Sequence, residues 1–373
     1  MFEGWDFNAD DESLFRTLIH DLVVIESPSG DRAGIHRVME RLLPDLLTIP
    51  GIHMEWHQEE GFPLLEVTRG IGGAFLLGHA DTVWPKGTLM TMPWYQDQDG
   101  RVFGPGILDM KAGLAIAVFA LRAVTPTTPF RLLVTPDEEI GSTLSRDYIE
   151  SYAKKAPLAL ILEAGMPQGG LKTARAGVGD FTCTVTGIES HAGLDPEKGA
   201  SAIREMAQQI LWLETLENRV LRTTLNPGVI TGGSRSNVIA GTGTIEVDVR
   251  VQTASEMERI EATLAHPPTF DARTQVRYGG GFNRPPMEPS RASQEWFLWA
   301  QNAWQERTGW PLEGLRVGGA SDGNFTARLT PTLDGLGAVG MGAHARHEQV
   351  DWRYMAPRVG LVRDLIHRAG ESG

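Results

Sequence analysis

The chain has 373 residues, a formal net charge of −13 and a pI of about 5.3. This charge argues against nucleic acid or an anionic membrane as the partner. The length exceeds what one core usually supports, so we expect two domains in an ordinary globular protein.

The patterns at the start of the chain and the cysteine content predict a cytoplasmic protein. The first residues are acidic and lack the basic segment and apolar core of a secretory signal. The longest apolar run, residues 112–121, is far shorter than a membrane span. The single cysteine, Cys183, excludes an internal disulfide and favours a reducing compartment.

The first half of the chain alternates helical and strand patterns. Apolar residues at helical spacing predict a first helix in the stretch 11–30, which ends in a Ser-Pro-Ser-Gly breaker, and a second helix at 34–47. Three short runs that are apolar throughout predict strands covered on both faces, "GAFLLGHAD", "FRLLVTPDEE" and "LALILEAG". Helical candidates lie between them, "MKAGLAIAVFALRAV" and "LSRDYIESYAKK". This alternation predicts an α/β layer with parallel strands.

The pattern changes near residue 177. A half-exposed strand "GDFTCTVTGIES", a long amphipathic helix, two strands, a helix and the strand "TQVRYGG" follow in the order β-α-β-β-α-β, which is typical of a ferredoxin-like arrangement. Helical and glycine-rich strand patterns then resume. We therefore predict an α/β catalytic domain built from 1–176 and 285–373, with a ferredoxin-like domain inserted at 177–284.

Acidic residues and histidines follow the predicted strands of the larger domain. They are His79, Asp137, Glu138, Glu139, Glu163 and His344, and a turn before a helix adds Asp109. In an open parallel sheet, functional groups gather at the carboxyl ends of the strands. We expect these loops to lie along one sheet edge. Any one of these acids could be a solvated loop residue, but that explanation is poor for five ligand-type positions at once.

So many carboxylates can be buried together only if a cation neutralises them. Imidazole and carboxylate ligands without a thiolate favour a pair of Zn²⁺ ions, with Co²⁺ or Mn²⁺ as substitutes. Asp81 lies two residues after His79, so both can point to one face of a strand and the carboxylate can orient the ring. Glu138 and Glu139 are adjacent and point in different directions, which leaves Glu138 as a candidate general base.

The motifs resemble, in order, those of the di-zinc exopeptidases. These motifs are "GHADTVWP", "GPGILDMKAG", "PDEEIGS", "LEAG", "SHAGLDPEKGASAI", "GGSRSNVI", "VDVR", "GGASDGNF" and "GAHARHEQV". The family groups glutamate carboxypeptidase of the carboxypeptidase G type, acetylornithine deacetylase, succinyl-diaminopimelate desuccinylase and aminoacylase. The resemblance covers almost the whole chain after the first helix and looks closest to the glutamate carboxypeptidase branch.

The resemblance implies a role for each matching residue. It implies that His79 and Glu163 bind one zinc ion, that Glu139 and His344 bind the other, and that Asp109 bridges them through a turn with a cis bond to Met110. Asp81 orients His79, and Glu138 is the general acid/base. His347 is a rival to His344, which is favoured because Glu348 follows it at the spacing of the family's terminal pattern.

The resemblance implies that the inserted domain is a lid and dimerisation domain and that it supplies substrate contacts. In the family, the histidine that matches His191 reaches the active site, usually that of the partner subunit, and donates to the oxyanion. Asn237, Arg250 and Arg284 resemble groups that hold substrate carboxylates, although Arg250 could be an outward strand residue. Gly319, Ser321 and Asp322 form a further loop on the substrate side.

The resemblance implies an enzyme that hydrolyses an amide next to a free-carboxylate amino acid, by means of water activated by two zinc ions. The enzyme would release the C-terminal glutamate, or a similar residue, of its substrate. An N-acyl-amino-acid deacylase with the same site is the alternative, and a homodimer through the inserted domain is expected. A catalytically silent metal-binding protein would show damaged ligands, and none is visible. A nucleotide site at "GPGILD" lacks the third glycine.

Overall fold

The structure is a computed structural model that describes residues 7–371. Its helices are α1 (Ala9–Val24), α2 (Arg32–Leu46), α3 (Ala112–Ala123), α4 (Arg146–Ala153), α5 (Ala202–Leu216), α6 (Ala254–Leu264), α7 (Arg291–Thr308), α8 (Gly323–Thr326) and α9 (Met355–Glu371).

The strands form three sheets. They are β1 (His53–Glu59), β2 (Phe62–Arg69), β3 (Ala74–His79), β4 (Tyr95–Gln96), β5 (Arg101–Phe103), β6 (Phe130–Thr135), β7 (Ala159–Ile161), β8 (Leu171–Arg175), β9 (Gly177–Thr186), β10 (Thr224–Gly232), β11 (Thr242–Val251), β12 (Gln275–Arg284), β13 (Gly314–Val317), β14 (Thr332–Asp334), β15 (Gly340–Met341) and β16 (Gln349–Asp351).

The chain separates into two compact units. The first contains the described residues up to Ala174, then Pro289–Arg316 and the described residues from Ser321 onward. The second contains Arg175–Glu288 and Val317–Ala320. The domain boundaries at 177 and 284 and the lid and dimerisation roles of the inserted domain stay predictions.

An eight-stranded sheet with the order β1-β2-β6-β3-β7-β14-β8-β13 forms the centre of the first unit. The four strands β6-β3-β7-β14 are parallel, as the alternating pattern predicts, while β2 and β8 join them antiparallel. Helix α3 is buried along most of its length because its apolar residues cover all its faces. The carboxyl ends of β3, β6 and β7 therefore lie at one edge of a rigid, covered sheet.

The expectation that every ligand loop follows a strand of one sheet was wrong for His344. The preceding strand β15 belongs to a small sheet with the order β15-β16-β5-β4. The sequence predicts the end of an apolar strand at residues 338–341. In the small sheet only Gly340 and Met341 form strand pairs, with Val350 and Gln349. A two-residue strand is too short for its pattern to show which sheet it joins.

The second unit has the β-α-β-β-α-β order that the sequence predicts. Its sheet runs β10-β11-β9-β12 and is antiparallel throughout. Buried and exposed residues alternate along β9 as on a half-covered sheet. Helices α5 and α6 cover the apolar face, where Cys183 is buried among Val185, Met206 and Ile245. Among residues 7–371, no helix is long and apolar enough to cross a membrane.

Candidate metal centre

His79 is the last residue of β3 and its side chain is 1% exposed. Its Nδ1 lies 2.9 Å from the carbonyl oxygen of Asp81 and 3.3 Å from Asp81 Oδ1. These acceptors favour the tautomer with the proton on Nδ1, which leaves the lone pair of Nε2 available for a metal. The Nε2 atom is buried and has no hydrogen-bond partner in the described chain.

The Asp109 carboxylate lies between two histidines. Its Oδ1 is 3.3 Å from Nε2 of His79, and its Oδ2 is 3.2 Å from Nε2 of His344. The Asp109–Met110 peptide bond is cis. Because each carboxylate oxygen faces a different imidazole, this side chain can serve two metal ions at once.

Two further carboxylates complete two ligand groups, each with three potential metal ligands: His79, Asp109 and Glu163 in one, and Asp109, Glu139 and His344 in the other. Glu163, two residues beyond β7, places Oε1 at 3.5 Å from His79 Nε2, and Glu139 places Oε2 at 3.3 Å from His344 Nε2. Within each group, the potential ligand atoms all lie within 4.8 Å of one another. His347 is exposed and belongs to neither group within residues 7–371.

The donor set and its spacing fit a pair of zinc ions. Zinc bonds to nitrogen and oxygen of about 2.0–2.1 Å in a tetrahedron separate the ligand atoms by about 3.3 Å. The histidine–carboxylate distances of 3.2–3.5 Å match this spacing. The Oε1 of Glu139 is buried and has no hydrogen-bond partner among residues 7–371, so it is a further oxygen available to a cation.

The electrostatics of the cluster favour a cation as well. Hydrogen bonds with Asp109 and Glu139 raise the pKa of His344 to about 10. Burial lowers the pKa of His79, but Asp109, Asp81 and Glu163 outweigh burial and raise it well above its ordinary value. The negative potential that favours a proton on both rings favours a divalent cation even more.

Asp81 connects His79 to the turn after β6. Its Oδ1 accepts from the backbone N–H of Glu138 at 3.2 Å, and its Oδ2 accepts from that of Glu139 at 3.3 Å and from the Ser29 hydroxyl at 2.7 Å. Asp81 is fully buried. One carboxylate therefore fixes both the imidazole and the backbone that carries the two glutamates.

Asp137 does not belong to either group, although it follows the same strand. Its Oδ2 accepts from Leu144 N–H at 2.7 Å and its Oδ1 from the Ser145 hydroxyl at 2.6 Å. Its two oxygens instead close the turn that carries the chain from the pair of glutamates, Glu138 and Glu139, into the following helix.

Glu348 supports the loop of Asp109, and the sequence indicated this residue only through a family spacing. Its carboxylate accepts from backbone N–H groups of Gly106, Leu108 and Asp109 at 2.8, 2.8 and 3.0 Å, and from Trp84 Nε1 at 2.7 Å. Burial raises its pKa to about 7, against the opposing effect of these donors. Glu348 holds the turn that presents Asp109. No local pattern reveals a contact that spans about 240 residues.

His191 and Asn237 lie on neighbouring loops of the second unit. Nδ1 of His191 accepts from the backbone N–H groups of Gly193 and Leu194, both at 3.1 Å. The proton is therefore on Nε2, which makes this exposed ring a donor. The carbonyl oxygen of Asn237 accepts from Ala192 N–H at 3.0 Å, which ties the two loops together.

The remaining predicted substrate residues differ in exposure. The guanidinium of Arg250 is half-buried and pairs with Asp248 through Nη2 at 2.7 Å, whereas Arg284 at the end of β12 is 5% exposed. Gly319 is exposed and its carbonyl accepts from Arg175 at 3.2 Å. Ser321, in the first unit, is buried and its hydroxyl donates to Asp334 at 2.6 Å.

Two ligand groups that share one carboxylate are the arrangement that two-metal hydrolases use. The chain matches the model of peptidase family M20/M25/M40 over residues 75–368. It therefore belongs to this family, and it is a metallopeptidase or amidohydrolase that depends on two zinc ions. The predicted family, enzyme class and cofactor are confirmed.

Two curated relatives match along most of their length. Carboxypeptidase G2 of Pseudomonas sp. (strain RS-16) is 28% identical over 97% of this chain and 91% of its own. Acetylornithine deacetylase of Pectobacterium carotovorum subsp. carotovorum (strain PC1) is 27% identical over 95% of this chain and 96% of its own.

Solved structures confirm the predicted fold class. The aminopeptidase PepT of Bacillus cereus ATCC 10987 superposes with a TM-score of 0.78 over 96% of this chain and 98% of that chain, at 21% identity. The M20 family metallo-carboxypeptidase Sso-CP2 of Sulfolobus solfataricus gives a TM-score of 0.67 over 97% and 100%, at 15% identity.

Proposed function

We propose that this protein is a carboxypeptidase that hydrolyses the amide bond before a C-terminal amino acid, with glutamate or a similar residue as the product. The observation that carries the chemistry is the Asp109 carboxylate shared between two ligand groups. The backbone of Glu138 is held by Asp81, which also contacts the ligand His79. The similarity to carboxypeptidase G2 over nearly both full lengths supports the choice of substrate.

In this proposal His79, Asp109 and Glu163 hold one zinc ion, and Asp109, Glu139 and His344 hold the other. When bound, a pair of zinc ions lowers the pKa of water and polarises a carbonyl group. The chain's own task is to keep five side chains in place. Asp81 does so for His79 and the glutamate turn, and Glu348 does so for Asp109.

Glu138 is proposed to accept the proton of the attacking water and to deliver it to the leaving amine. Its backbone N–H is held by Asp81, whose other oxygen holds the N–H of the proposed ligand Glu139. The base and the ligand therefore share one anchor, which restricts the distance between them. A general base held in this way contributes about 10²–10⁴-fold to a rate.

His191 is proposed to donate a hydrogen bond to the oxyanion of the tetrahedral intermediate. Its tautomer supports this role, because two backbone donors occupy Nδ1 and leave the Nε2 proton directed elsewhere. Arg250, Arg284 and Asn237 are proposed to bind the substrate carboxylate, with Gly319 and Ser321 shaping the loop beside it. A guanidinium fork matches a carboxylate in two parallel hydrogen bonds.

An N-acyl-amino-acid deacylase is the second candidate. The similarity to acetylornithine deacetylase over nearly both full lengths supports it. Both candidates use the same metal ligands and differ in the acyl group. Zinc-loaded protein should be assayed with a folate-like conjugate of glutamate, a panel of dipeptides and N-acetyl amino acids. Inertness toward all of these substrates would contradict both candidates.

We also propose that two copies associate through the second unit, within the cytoplasm. Strand β10 lies at the edge of its sheet, where Val229 and Ile230 are 49% and 54% exposed. An edge strand with exposed β-branched residues favours pairing with another copy. Sedimentation should give a dimer that Ile230→Lys converts to a monomer. A monomeric wild type would contradict this part of the proposal.

A further inference from the structure

The glutamate turn, residues 138–142, ends at Ser142, and this end has a support of its own. The backbone N–H of Ser142 donates to the carbonyl oxygen of Asp137 at 2.8 Å, so the turn closes on its own start. The Ser142 hydroxyl donates to Oδ1 of Asp322, which lies 180 residues further along the chain. Ser142 is 0% exposed and Asp322 is 3% exposed. The bond is therefore made away from solvent, where a hydrogen bond to a carboxylate is strong.

The backbone of Ser142 has a conformation that needs support. Its φ of 56° lies in the left-handed region, which residues other than glycine avoid because Cβ approaches the following carbonyl oxygen. Such a conformation persists only where the surrounding structure holds it. The hydrogen bond to Asp322 is a constraint of this kind, so we expect the end of the glutamate turn to depend on it.

Asp322 in turn lies on a part of the first unit that is tied to the central sheet. The hydroxyl of the preceding residue, Ser321, donates to Asp334 at the end of β14 at 2.6 Å. The backbone N–H of Ser321 donates to Oδ1 of the buried Asn324 at 2.9 Å. Strand β14 pairs with β7 in the central sheet. Neighbouring hydrogen bonds therefore connect this sheet to the end of the glutamate turn.

Carboxylates thus hold both ends of the glutamate turn. At its start, Asp81 accepts from the backbone N–H groups of Glu138 and Glu139. At its end, Asp322 accepts from the Ser142 hydroxyl. A second attachment restricts rotation of the turn about the first one. This restriction matters for the side chains between the two attachments, because a misplacement of about 1 Å at an active site can lower a rate about 10²-fold.

We propose that Asp322 is a positioning residue for Glu138 and Glu139, and that it does not contact the substrate. Its carboxylate is buried and directed at Ser142, so it is not accessible to a substrate. Through Ser142 it keeps both glutamates at their places beside the metal centre. The effect on Glu138 rests on the proposed function, whereas the effect on Glu139 concerns metal affinity and needs no substrate.

Competition with a chelator on the full-length, zinc-loaded protein tests the effect on Glu139 without any turnover. Asp322→Ala and Ser142→Ala each remove one side of the hydrogen bond and should lower the affinity for zinc by about 10–100-fold. The double variant should lose no more than either single variant, because both changes break the same bond. Asp322→Asn keeps an acceptor for the Ser142 hydroxyl and should retain most of the affinity. Wild-type affinity in both alanine variants would overturn the proposal.

Ser142→Gly separates the hydrogen bond from the backbone conformation. Glycine adopts a φ of 56° without strain, so this variant also serves if Ser142→Ala folds poorly. We expect Ser142→Gly to lose zinc affinity as Ser142→Ala does, because the attachment to Asp322 is gone. Wild-type affinity in Ser142→Gly would show that only the backbone conformation matters and would contradict the role of Asp322.

Thr223→Ala is the matched control in the second unit. Thr223 is 1% exposed, and its hydroxyl donates to the buried carboxylate of Glu256 at 2.5 Å. The control removes a hydrogen bond of the same kind, so it should lower the melting temperature while zinc affinity and turnover stay the same. An equal loss of zinc affinity in Thr223→Ala would show that affinity only follows stability, which would overturn the proposal.

Kinetics test the effect on Glu138 and separate this proposal from the proposed function. At saturating zinc, Asp322→Ala and Ser142→Ala should lower kcat by about 10²-fold with KM unchanged, and Asp322→Asn should keep most of kcat. A higher KM with unchanged kcat in Asp322→Ala would show that Asp322 contacts the substrate and would overturn the proposal. If no substrate is turned over, the proposed function fails, and the zinc affinities still decide whether Asp322 positions the turn.

Discussion

The metal centre of the first unit differs in its construction from the loops of the second unit that we propose to contact the substrate. The side chains of His79, Glu139 and Glu163 are 1%, 6% and 9% exposed, and buried carboxylates hold their surroundings. His191 and Asn237 are exposed and held mainly by their own loops. Burial preorganises most of the metal centre, although the side chain of His344 is 51% exposed, while the loops of His191 and Asn237 stay accessible.

The largest expected loss of turnover follows a substitution of Glu138, which should impair catalysis in the first unit without loss of metal. Glu138→Gln removes the base while all five proposed ligands remain, so turnover should fall about 10²–10⁴-fold with two zinc ions retained. Steady-state kinetics and metal analysis of the same sample measure both. Glu139→Gln is the matched comparison and should lose zinc. Full activity in Glu138→Gln would exclude the proposed mechanism.

Removing the support behind the metal centre tests its preorganisation. Glu348→Gln keeps the size of the side chain but weakens its bonds to three backbone N–H groups, so the turn that presents Asp109 should loosen. Loss of such a support lowers metal affinity by about 10–100-fold. Competition with a chelator measures the change. Glu261→Gln, an exposed change on α6, should have no effect, and unchanged affinity in Glu348→Gln would contradict this role.

In the second unit, by contrast, we expect a substitution to lower turnover without changing metal affinity. His191→Ala should lower kcat by about 10²–10³-fold, because one oxyanion donor is lost, while zinc content stays the same. His266→Ala, an exposed histidine at the end of α6, is the control and should keep full activity. Loss of zinc in His191→Ala would contradict the assignment of metal binding to the first unit and of oxyanion binding to His191.

The smallest expected effect is on the pH dependence of stability, through a buried residue in the interior of the second unit. Burial raises the pKa of the Cys183 thiol from its ordinary value of 9.0 to about 11. The folded protein then holds this proton more tightly than the unfolded chain. Its contribution to stability is complete below about pH 9 and is lost as the pH rises through about 11.

Urea unfolding across this range should give a free energy of unfolding that falls with pH, with a shallower fall in Cys183→Ala. Burial also raises the pKa of the neighbouring Tyr278, which acts in the same direction and remains in the variant. The same slope in both proteins would show that the thiol does not contribute.

The sequence by itself determined the layer architecture, the family and the residue types of the centre. Apolar runs that end in His79, Glu139 and Glu163 predict covered strands with ligands at their carboxyl ends, since sequence periodicity and strand ends are local properties. The alternation along β9 and the helices that follow likewise predicted the order of elements in the second unit. These features need no knowledge of distant contacts.

Only the tertiary structure decided how these residues are supported. It showed that β15 joins a separate small sheet, that Asp137 closes a turn, and that Glu348 reaches the backbone of Asp109 from far along the chain. Carboxylate and amide side chains have no preferred partner in sequence, so their roles depend on which backbone donors the fold brings within about 3 Å.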